Sequence, residues 1–368
     1  MKINQIRLKN FRNYDSCQFI PDPHINVIIG KNAQGKTNLL ESIVLLSTTR
    51  SHRAMRDQDM IREGQDFCKA ECRLNTEPTM VLSAVIHGKG KTLMIHQKPV
   101  SRSSEFIGKL NAVLFAPSDL ELFEAPPKVR RRLMDVEIGK VSPRYMQALS
   151  AMMKLLKERN SLLKREHIDN AMLEVLDLQM IEQQLTIITM RRQFIGKMNE
   201  NLSRIYSVLA EEEAQVSAAY HTITEQTEPE AIREEIRRKL LENRDRDRIL
   251  KTTSSGVHRD DLSFQLNERD VLSYASQGQR RMIVLAWKLS LIDFIAERLN
   301  ELPVLLLDDV LSELDQQKRV NLFSLISPEI QTFITPTEIA ELLPFLSRKP
   351  KIAEIDSGQI RPWKEDMN

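Results

Sequence analysis

The chain has 368 residues, 41% of them hydrophobic, and its 53 Lys and Arg stand against 51 Asp and Glu for a formal charge of +2. That balance excludes a disordered polyelectrolyte or a collagen-like repeat, and no apolar run approaches the roughly 20 residues of a membrane-spanning helix. Bulk charge alone announces no nucleic-acid partner. The start, MKINQIRLKNFRNYD, lacks an apolar block of signal-peptide type, and the three cysteines, Cys17, Cys68 and Cys72, are too sparse for a disulfide framework. Both features predict a reducing, cytoplasmic setting without a membrane.

In chain order, Ile3, Ile6 and Leu8 precede a turn at Asn10-Phe11-Arg12-Asn13, and Ile25-Asn26-Val27-Ile28-Ile29 predicts a short buried strand ending at glycine. Met80 to Ile86 and Thr92 to Ile95 flank His87-Gly88-Lys89-Gly90 and predict a hairpin. Only Pro229 lies between Pro143 and Pro303, and only Gly196 between Gly139 and Gly256. Helix interiors tolerate neither residue well, so this stretch predicts a long helical insert. Met146, Leu149, Met153, Leu156 and Leu163 step by threes and fours, and Leu173, Leu176, Met180, Ile187, Met190 and Phe194 resume the stepping after a break. Two antiparallel helices are expected, the second about 40 residues or about 60 Å long. The charged stretch from Glu225 to Lys251 predicts a solvated helix. Val304 to Leu307, Gln331 to Thr335 and Lys351 to Ile355 predict further strands. The architecture expected is an α/β domain split by a helical lobe, with residues 1–118 and 258–368 forming the domain and 119–257 the insert.

Three motifs carry chemistry. Gly30-Lys31-Asn32-Ala33-Gln34-Gly35-Lys36-Thr37 is a complete G-x-x-x-x-G-K-[ST] phosphate loop between a strand and a helical pattern. Its glycines let backbone amides curl around phosphates at the positive end of a helix, Lys36 is placed to bridge the β- and γ-phosphates, and Thr37 offers a hydroxyl to Mg²⁺. Far downstream, the apolar strand Val304–Leu307 ends in Asp308-Asp309. Asp308 is the expected metal-side acid and Asp309 the residue that orients or activates water. Third, Ser276-Gln277-Gly278-Gln279 opens a strongly apolar helix. Taken alone, it reads as an ordinary helix cap by Ser276. Beside the other motifs it is the better economy that this second nest serves the nucleotide of another subunit.

Phosphate loop, S-x-G-Q signature, Asp-Asp strand end and Ser312-Glu313-Leu314-Asp315 occur in the order of ABC-type ATPase heads, including those of SMC proteins. The insert is too short for an SMC arm. The chain resembles the short-armed RecF family of recombination and replication repair in Lys9-Asn10-Phe11-Arg12-Asn13-Tyr14, Phe115-Ala116-Pro117-Ser118-Asp119-Leu120 and His258-Arg259-Asp260-Asp261-Leu262. The string from Leu305 to Asp315, LLLDDVLSELD, adds to this likeness, which spans Met1 to about Thr337.

The resemblance implies an ATP-dependent homodimer that binds gapped or junction DNA, helps load recombinase with RecR and RecO, and is a weak, DNA-stimulated ATPase. ATP and Mg²⁺ would lie on Gly30 to Thr37, with Ser276, Gly278 and Gln279 facing the γ-phosphate across the dimer. Arg12 would add a phosphate contact, and Asp315 would lie in the loop between the two sites. Departures are visible as well. Asp309 stands where ABC heads usually have Glu, Thr335 and Thr337 stand where a switch histidine is expected, and Asp119 occupies the glutamine-loop neighbourhood. The tail of the signature, Gln279-Arg280-Arg281-Met282, stands where Gln and Arg-Thr are expected. Candidate DNA contacts are Arg50, Arg53 and Arg56, the run Lys128 and Arg130 to Arg132, and the basic residues of 233–251. The competing reading is an ABC-type subunit coupled to a protein partner or transporter.

Overall fold

The computed structural model describes residues 1–340 and 342–363; residues 364–368 of the expected C-terminal part lie outside the described residues. The chain forms two compact units, one of residues 1–120, 204–212 and 281–368, the other of residues 121–203 and 213–280.

The first unit holds two six-stranded sheets. One is antiparallel throughout, in the order Tyr14–Phe19, Ile3–Phe11, Phe67–Leu74, Met80–His87, Gly90–Ile95, Lys98–Pro99. The other runs Gln359–Pro362, Lys351–Asp356, Ile25–Ile29, Thr332–Thr335, Val304–Asp308, Ala112–Phe115. Its pairings are parallel except for the edge hairpin of Lys351–Asp356 with Gln359–Pro362. All of Val304–Asp308 is buried, as the unbroken apolar run of a parallel strand covered on both faces requires. The helix Lys36–Thr48 is buried along Leu39 to Ser47. Its Leu39, Leu40, Ile43 and Leu46 share one core with Ile6, Leu8 and Phe11 of the antiparallel sheet and Ile28, Leu306 and Phe333 of the parallel one. A helix apolar on every side is stable only when so enclosed.

The second unit contains the helices Pro127–Val141, Pro143–Leu162, Pro229–Glu242 and Arg244–Leu250, together with most of Asn170–Ala210, a helix of 41 residues. Pro143 sits in the first turn of its helix, where no amide donor is missed, and Ser142 caps it by accepting from the Tyr145 amide at 3.1 Å. The expected solvated helix over 225–251 is instead two helices meeting at Asn243, and Ile232, Ile236 and Leu240 are buried. Apolar residues at four-residue spacing made an inner stripe that the dense charge obscured.

The return from the lobe comes at Arg281 and not at residue 258. Asp261–Leu266 pairs antiparallel with Val216–His221, and Arg269–Asp270 adds a third strand. Two buried arginines tie the lobe together, Arg159 helix to helix and Arg191 to the loop before Asp261. Arg159 reaches Asp177 at 2.6 Å and Asp247 at 2.7 Å, while Arg191 reaches Asp135 and Asp260 at 2.8 Å each. The Arg191–Asp260 pair and the strand pairing with Val216–His221 hold the stretch after residue 258 in the lobe.

Candidate functional site

The strand Ile25–Ile29 delivers the chain to Gly30, and the loop ends inside the first turn of Lys36–Thr48. Gly30 has φ +143°, and a Cβ there would lie 2.3 Å from the Ile355 carbonyl oxygen. At Gly35, φ is +122° and a Cβ would meet the Asn13 amide group at 2.8 Å. Both positions require glycine, by backbone conformation and by space. Gly35 is the N-cap and no side chain accepts from the first turn. The leading amides are therefore open donors at the positive end of the helix, an arrangement that favours an anion.

Neighbouring residues brace the loop from behind. The Tyr14 hydroxyl donates to the Gly35 carbonyl at 2.9 Å and Asn13 Nδ2 to the Gln34 carbonyl at 2.5 Å. Burial pushes the Tyr14 phenol far above its ordinary range, so the donor proton is permanent. The Ser357 amide donates to Gln34 Oε1 at 2.6 Å, and the Gly358 amide to the Gln34 carbonyl at 3.2 Å. Lys31, Asn32 and Ala33 are exposed at the crest of the loop. Lys36 Nζ folds back to the Gly30 carbonyl at 2.6 Å.

At the end of Val304–Asp308, the buried Asp308 Oδ1 accepts from Thr37 Oγ1 at 3.0 Å and from Thr335 Oγ1 at 2.7 Å. Asp309 is exposed, in the left-handed region at φ +52°. Its Oδ1 accepts from Thr337 Oγ1 at 2.7 Å and its amide donates to Thr335 Oγ1 at 3.1 Å. The two threonines that replace a switch histidine thus hold the two aspartates. A non-glycine residue at positive φ at a strand end is a strained conformation of the kind held at functional sites.

Arg12 is committed to other work than the expected phosphate contact. Its Nε and Nη2 grip Glu41 at 2.8 and 2.6 Å, and Nη1 donates to the Asp59 carbonyl at 2.6 Å. Glu41 is fully buried, and burial alone would raise its pKa; hydrogen bonds from Arg12 and Ser51 outweigh that and hold it below the ordinary range. Asp119 accepts from Lys288 Nζ at 2.8 Å through Oδ1 and from the Ala116 amide at 2.8 Å through Oδ2. No glutamine takes its place in the turn Pro117–Leu122.

The signature residues belong to the second unit. Ser276 Oγ accepts from the Gln279 amide at 3.2 Å while Gln279 Oε1 accepts from the Ser276 amide at 3.0 Å, a reciprocal capping box at the start of Gln277–Leu299. Gly278 is exposed, and a Cβ there would find only Ser276 Oγ, at 4.0 Å. Nothing in its own chain demands glycine at that position. Asp315 caps Gln316–Leu325 by accepting from the Lys318 amide at 2.9 Å, with Lys318 Nζ at 2.5 Å on its other oxygen.

A family model described as an AAA ATPase domain matches residues 1–316. The DNA replication and repair protein RecF of Staphylococcus carnosus is 38% identical over 368 residues, covering 98% of this chain and 100% of the relative. The chain belongs to the RecF family. A solved structure of the recombination mediator protein RecF with ATP, of the RecFOR pathway, superposes with a TM-score of 0.90 at 29% identity, covering 99% of this chain and 98% of that one. The Smc head domain of Pyrococcus yayanosii, with its coiled coil and joint, superposes at 0.58 and 12% identity over 98% and 96% of the chains, a likeness of fold alone. The fold is that of an ABC-type ATPase head with a largely helical inserted lobe.

Within this RecF-family chain, sequence reading missed Asn13 and Tyr14 as braces, Glu41 and Ser51 as the anchor of Arg12, and the threonine clamps on the aspartates. Asn13 and Tyr14 end the run Lys9 to Tyr14, but only contact shows what they touch. Among the described residues no helix is long and apolar enough to cross a membrane. The basic runs of the lobe are largely neutralised at home. Arg130 pairs with Asp261 at 2.7 Å, Arg233 with Glu182 at 2.8 Å and Glu230 at 2.5 Å, Arg237 with Glu234 at 2.8 Å, and Arg238 with Glu235 at 2.6 Å. Arg50, Arg53 and Arg56 remain exposed at the surface of the first unit.

Proposed function

We propose that this chain is an ATP-gated DNA-binding protein of recombinational repair and replication restart, cytoplasmic, and active as an ATP-induced homodimer. The observation that carries the reading is the meeting of Thr37 and Asp308 oxygens at 3.0 Å beside the uncapped amides of Lys36–Thr48. Hard oxygen donors of this kind suit Mg²⁺, and a loop with no room for Cβ at Gly30 and Gly35 suits a phosphate chain. The backbone of Gly30 to Thr37 would hold ATP, with Thr37 and Asp308 holding the ion, which supplies charge neutralisation to the phosphates. Lys36 would exchange the Gly30 carbonyl for phosphate oxygen. Asp309, kept in place by Thr337, would take the proton of the attacking water. An aspartate is one methylene shorter than glutamate, so hydrolysis is expected to be slow and ATP to act as a timed clamp.

Ser276 accepts a hydrogen bond within its own helix and keeps its hydroxyl proton to donate, so Ser276, Gly278 and Gln279 can meet the γ-phosphate of a second copy. Asp315, at the start of the next helix, would lie near that junction. The DNA expected is gapped or has a single-strand/double-strand junction, its binding stimulates the weak ATPase, and RecR and RecO are the expected partners in recombinase loading. Arg50 and Arg53 suit phosphate contact better than Arg56, which pairs with Asp59 at 3.5 Å, and than the lobe arginines, which are matched to carboxylates. The transporter-type alternative has no support in a full-length likeness to RecF.

Lys36→Ala should weaken ATP binding by at least about 100-fold, read by equilibrium titration, with an unchanged melting curve. Gapped DNA should bind in the presence of ATP with an affinity that falls steeply as salt rises. Undetectable DNA binding at low salt with ATP, or sedimentation that shows only monomers with ATP and DNA, would sink the reading.

A further inference from the structure

Beyond the helix Lys36–Thr48, the segment 50–60 runs over the surface of the first unit and is held from within. Ser51 Oγ accepts from the amides of Arg53 at 2.9 Å and Ala54 at 2.7 Å and donates to the buried Glu41. Ala54 packs against the core, and Met60 lies inside it. Lys91 Nζ joins the two ends of the segment, reaching the Thr49 carbonyl at 2.5 Å and Asp57 at 2.8 Å. The Asp59 carboxylate accepts from the Arg56 amide at 3.1 Å, and its carbonyl accepts from Arg12. Against this bracing one side chain is left in water. Met55 is 98% exposed, the most exposed large apolar residue among those described.

A loose loop would fold such a side chain back onto the protein. Here the neighbours on both sides are fixed, and the thioether stays out. Met55 also stands alone: within 49–61 no other large apolar residue is exposed. The segment therefore lacks the contiguous apolar centre that a protein interface buries. Its charges are one-sided as well. Asp57 is matched by Lys91, and Asp59 by Arg56 at 3.5 Å. The exposed Arg50 and Arg53 have no carboxylate partner among the described residues, and Arg53 Nη1 donates to the neutral Asn38 Oδ1 at 3.2 Å. A fixed apolar knob beside two uncompensated guanidinium groups suits a partner that offers phosphates and, between them, narrow apolar slots. A stack of bases is such a partner, and one inserted side chain is enough to open a step. Methionine is unbranched and polarisable, as a slot between aromatic rings requires.

We propose that Met55 is an apolar wedge for nucleic acid, entering between adjacent bases while Arg50 and Arg53 hold neighbouring phosphates. This rests on the DNA-binding reading above and deepens it by giving recognition of a gap or junction a physical basis. Unstacking costs least where one base already lacks a paired neighbour, so a wedge selects the junction over uninterrupted duplex. Phosphate contacts alone carry no such preference.

The test uses the full chain with ATP and DNA carrying the fluorescent base 2-aminopurine, placed either at the edge of a gap or within continuous duplex. The wild type should raise the fluorescence of the gap-edge probe as the base unstacks and leave the probe in continuous duplex unchanged. Met55→Ala, with an unchanged melting curve, should abolish that rise. It should weaken gapped-DNA binding about tenfold, the scale of one apolar side chain returned to water, and continuous-duplex binding less than about twofold. Its salt dependence should match the wild type, since no phosphate contact is lost. Met55→Leu, of similar volume, should keep most of the affinity and of the rise. Arg50→Ala should do the reverse of Met55→Ala, flattening the salt dependence while fluorescence still rises at saturating protein. A wild type that binds gapped DNA without the rise, or a Met55→Ala that unstacks the gap edge as the wild type does, overturns the wedge and leaves DNA binding standing. Equal losses on gapped and continuous DNA overturn it too. So does loss of ATP-induced dimers by Met55→Ala in the absence of DNA, which makes Met55 a contact between copies. A wild type that binds no DNA at low salt with ATP overturns the DNA-binding reading and this inference with it.

Discussion

Two helices of this chain begin at a glycine-bearing motif, and they begin in opposite ways. Lys36–Thr48 starts with open amides, and the loop before it is held from behind by Tyr14, Asn13 and Ser357. Gln277–Leu299 starts with a reciprocal cap, the Gln279 amide closed by Ser276 and the Ser276 amide by Gln279. The first start is built by the tertiary structure and left unsatisfied on the face a ligand would meet. The second is satisfied locally and would hold its shape in a wide range of surroundings. A site whose donors are pre-aimed and uncompensated binds an anion without first breaking protein hydrogen bonds. A self-capped start serves a partner through what its cap leaves over, including the Ser276 proton and the space at Gly278.

The contrast predicts different responses to substitution. The largest is expected behind the open start. Arg12→Ala strands the buried Glu41 carboxylate and should cost about 3–5 kcal/mol in denaturant unfolding. The pH dependence has a definite sign. Glu41 is held below its ordinary value of 4.5, so its contribution is complete above about that pH and is lost as pH falls through the lower folded value. The stability gap between wild type and Arg12→Ala should therefore close on acidification. An undiminished gap well below that range would remove the ion pair as its cause.

Gly30→Ala comes next. It forces a Cβ toward the Ile355 carbonyl at a φ that side chains rarely adopt, and about 3 kcal/mol of stability should be lost. ATP binding should fall with it, since the loop cannot keep its path. At the closed start, Ser276→Ala should cost only about 1 kcal/mol, the worth of a cap. Its main effect should be on assembly, seen as loss of ATP-induced dimers in sedimentation with monomer ATP binding preserved. A stability loss as large as that of Gly30→Ala would contradict the local nature of this cap. The smallest effect is expected at Arg238, on the exposed face of Pro229–Glu242, where replacement by Ala should leave both melting and gapped-DNA affinity unchanged. Arg50→Ala with Arg53→Ala, by contrast, should lower DNA affinity and flatten its salt dependence.

Much of the fold was legible because periodicity and glycine placement are local signals. The buried strands at 25–29, 304–307 and 331–335 announced themselves as short apolar runs, and the long helix of the lobe as a stretch nearly free of Gly and Pro. The three-stranded sheet of the lobe was not legible, since Val216–His221 and Asp261–Leu266 are separated by helices and the alternation of Asp261–Leu266 does not name its partner strand. The return at Arg281 followed from that pairing, so it was hidden too. The helical pattern over 225–251 misled because charged residues outnumber Ile232, Ile236 and Leu240, although these three alone decide which face is inside.

At the site, the identity of the phosphate loop, of Asp308-Asp309 and of the signature was set by residue order, because backbone curvature needs glycine and phosphate needs amide, ammonium and hydroxyl donors. Commitment was decided by tertiary structure. Whether an arginine is free, as expected of Arg12, or spent on Glu41 depends on a carboxylate 29 residues away in sequence that the fold brings to 2.6 Å. The same holds for His52, unremarkable in the sequence, which the fold buries with both ring nitrogens unpaired. Composition lists the charges, and only packing determines which of them cancel; the overall +2 left that open, while the structure shows lobe arginines paired with carboxylates and Arg50 and Arg53 exposed.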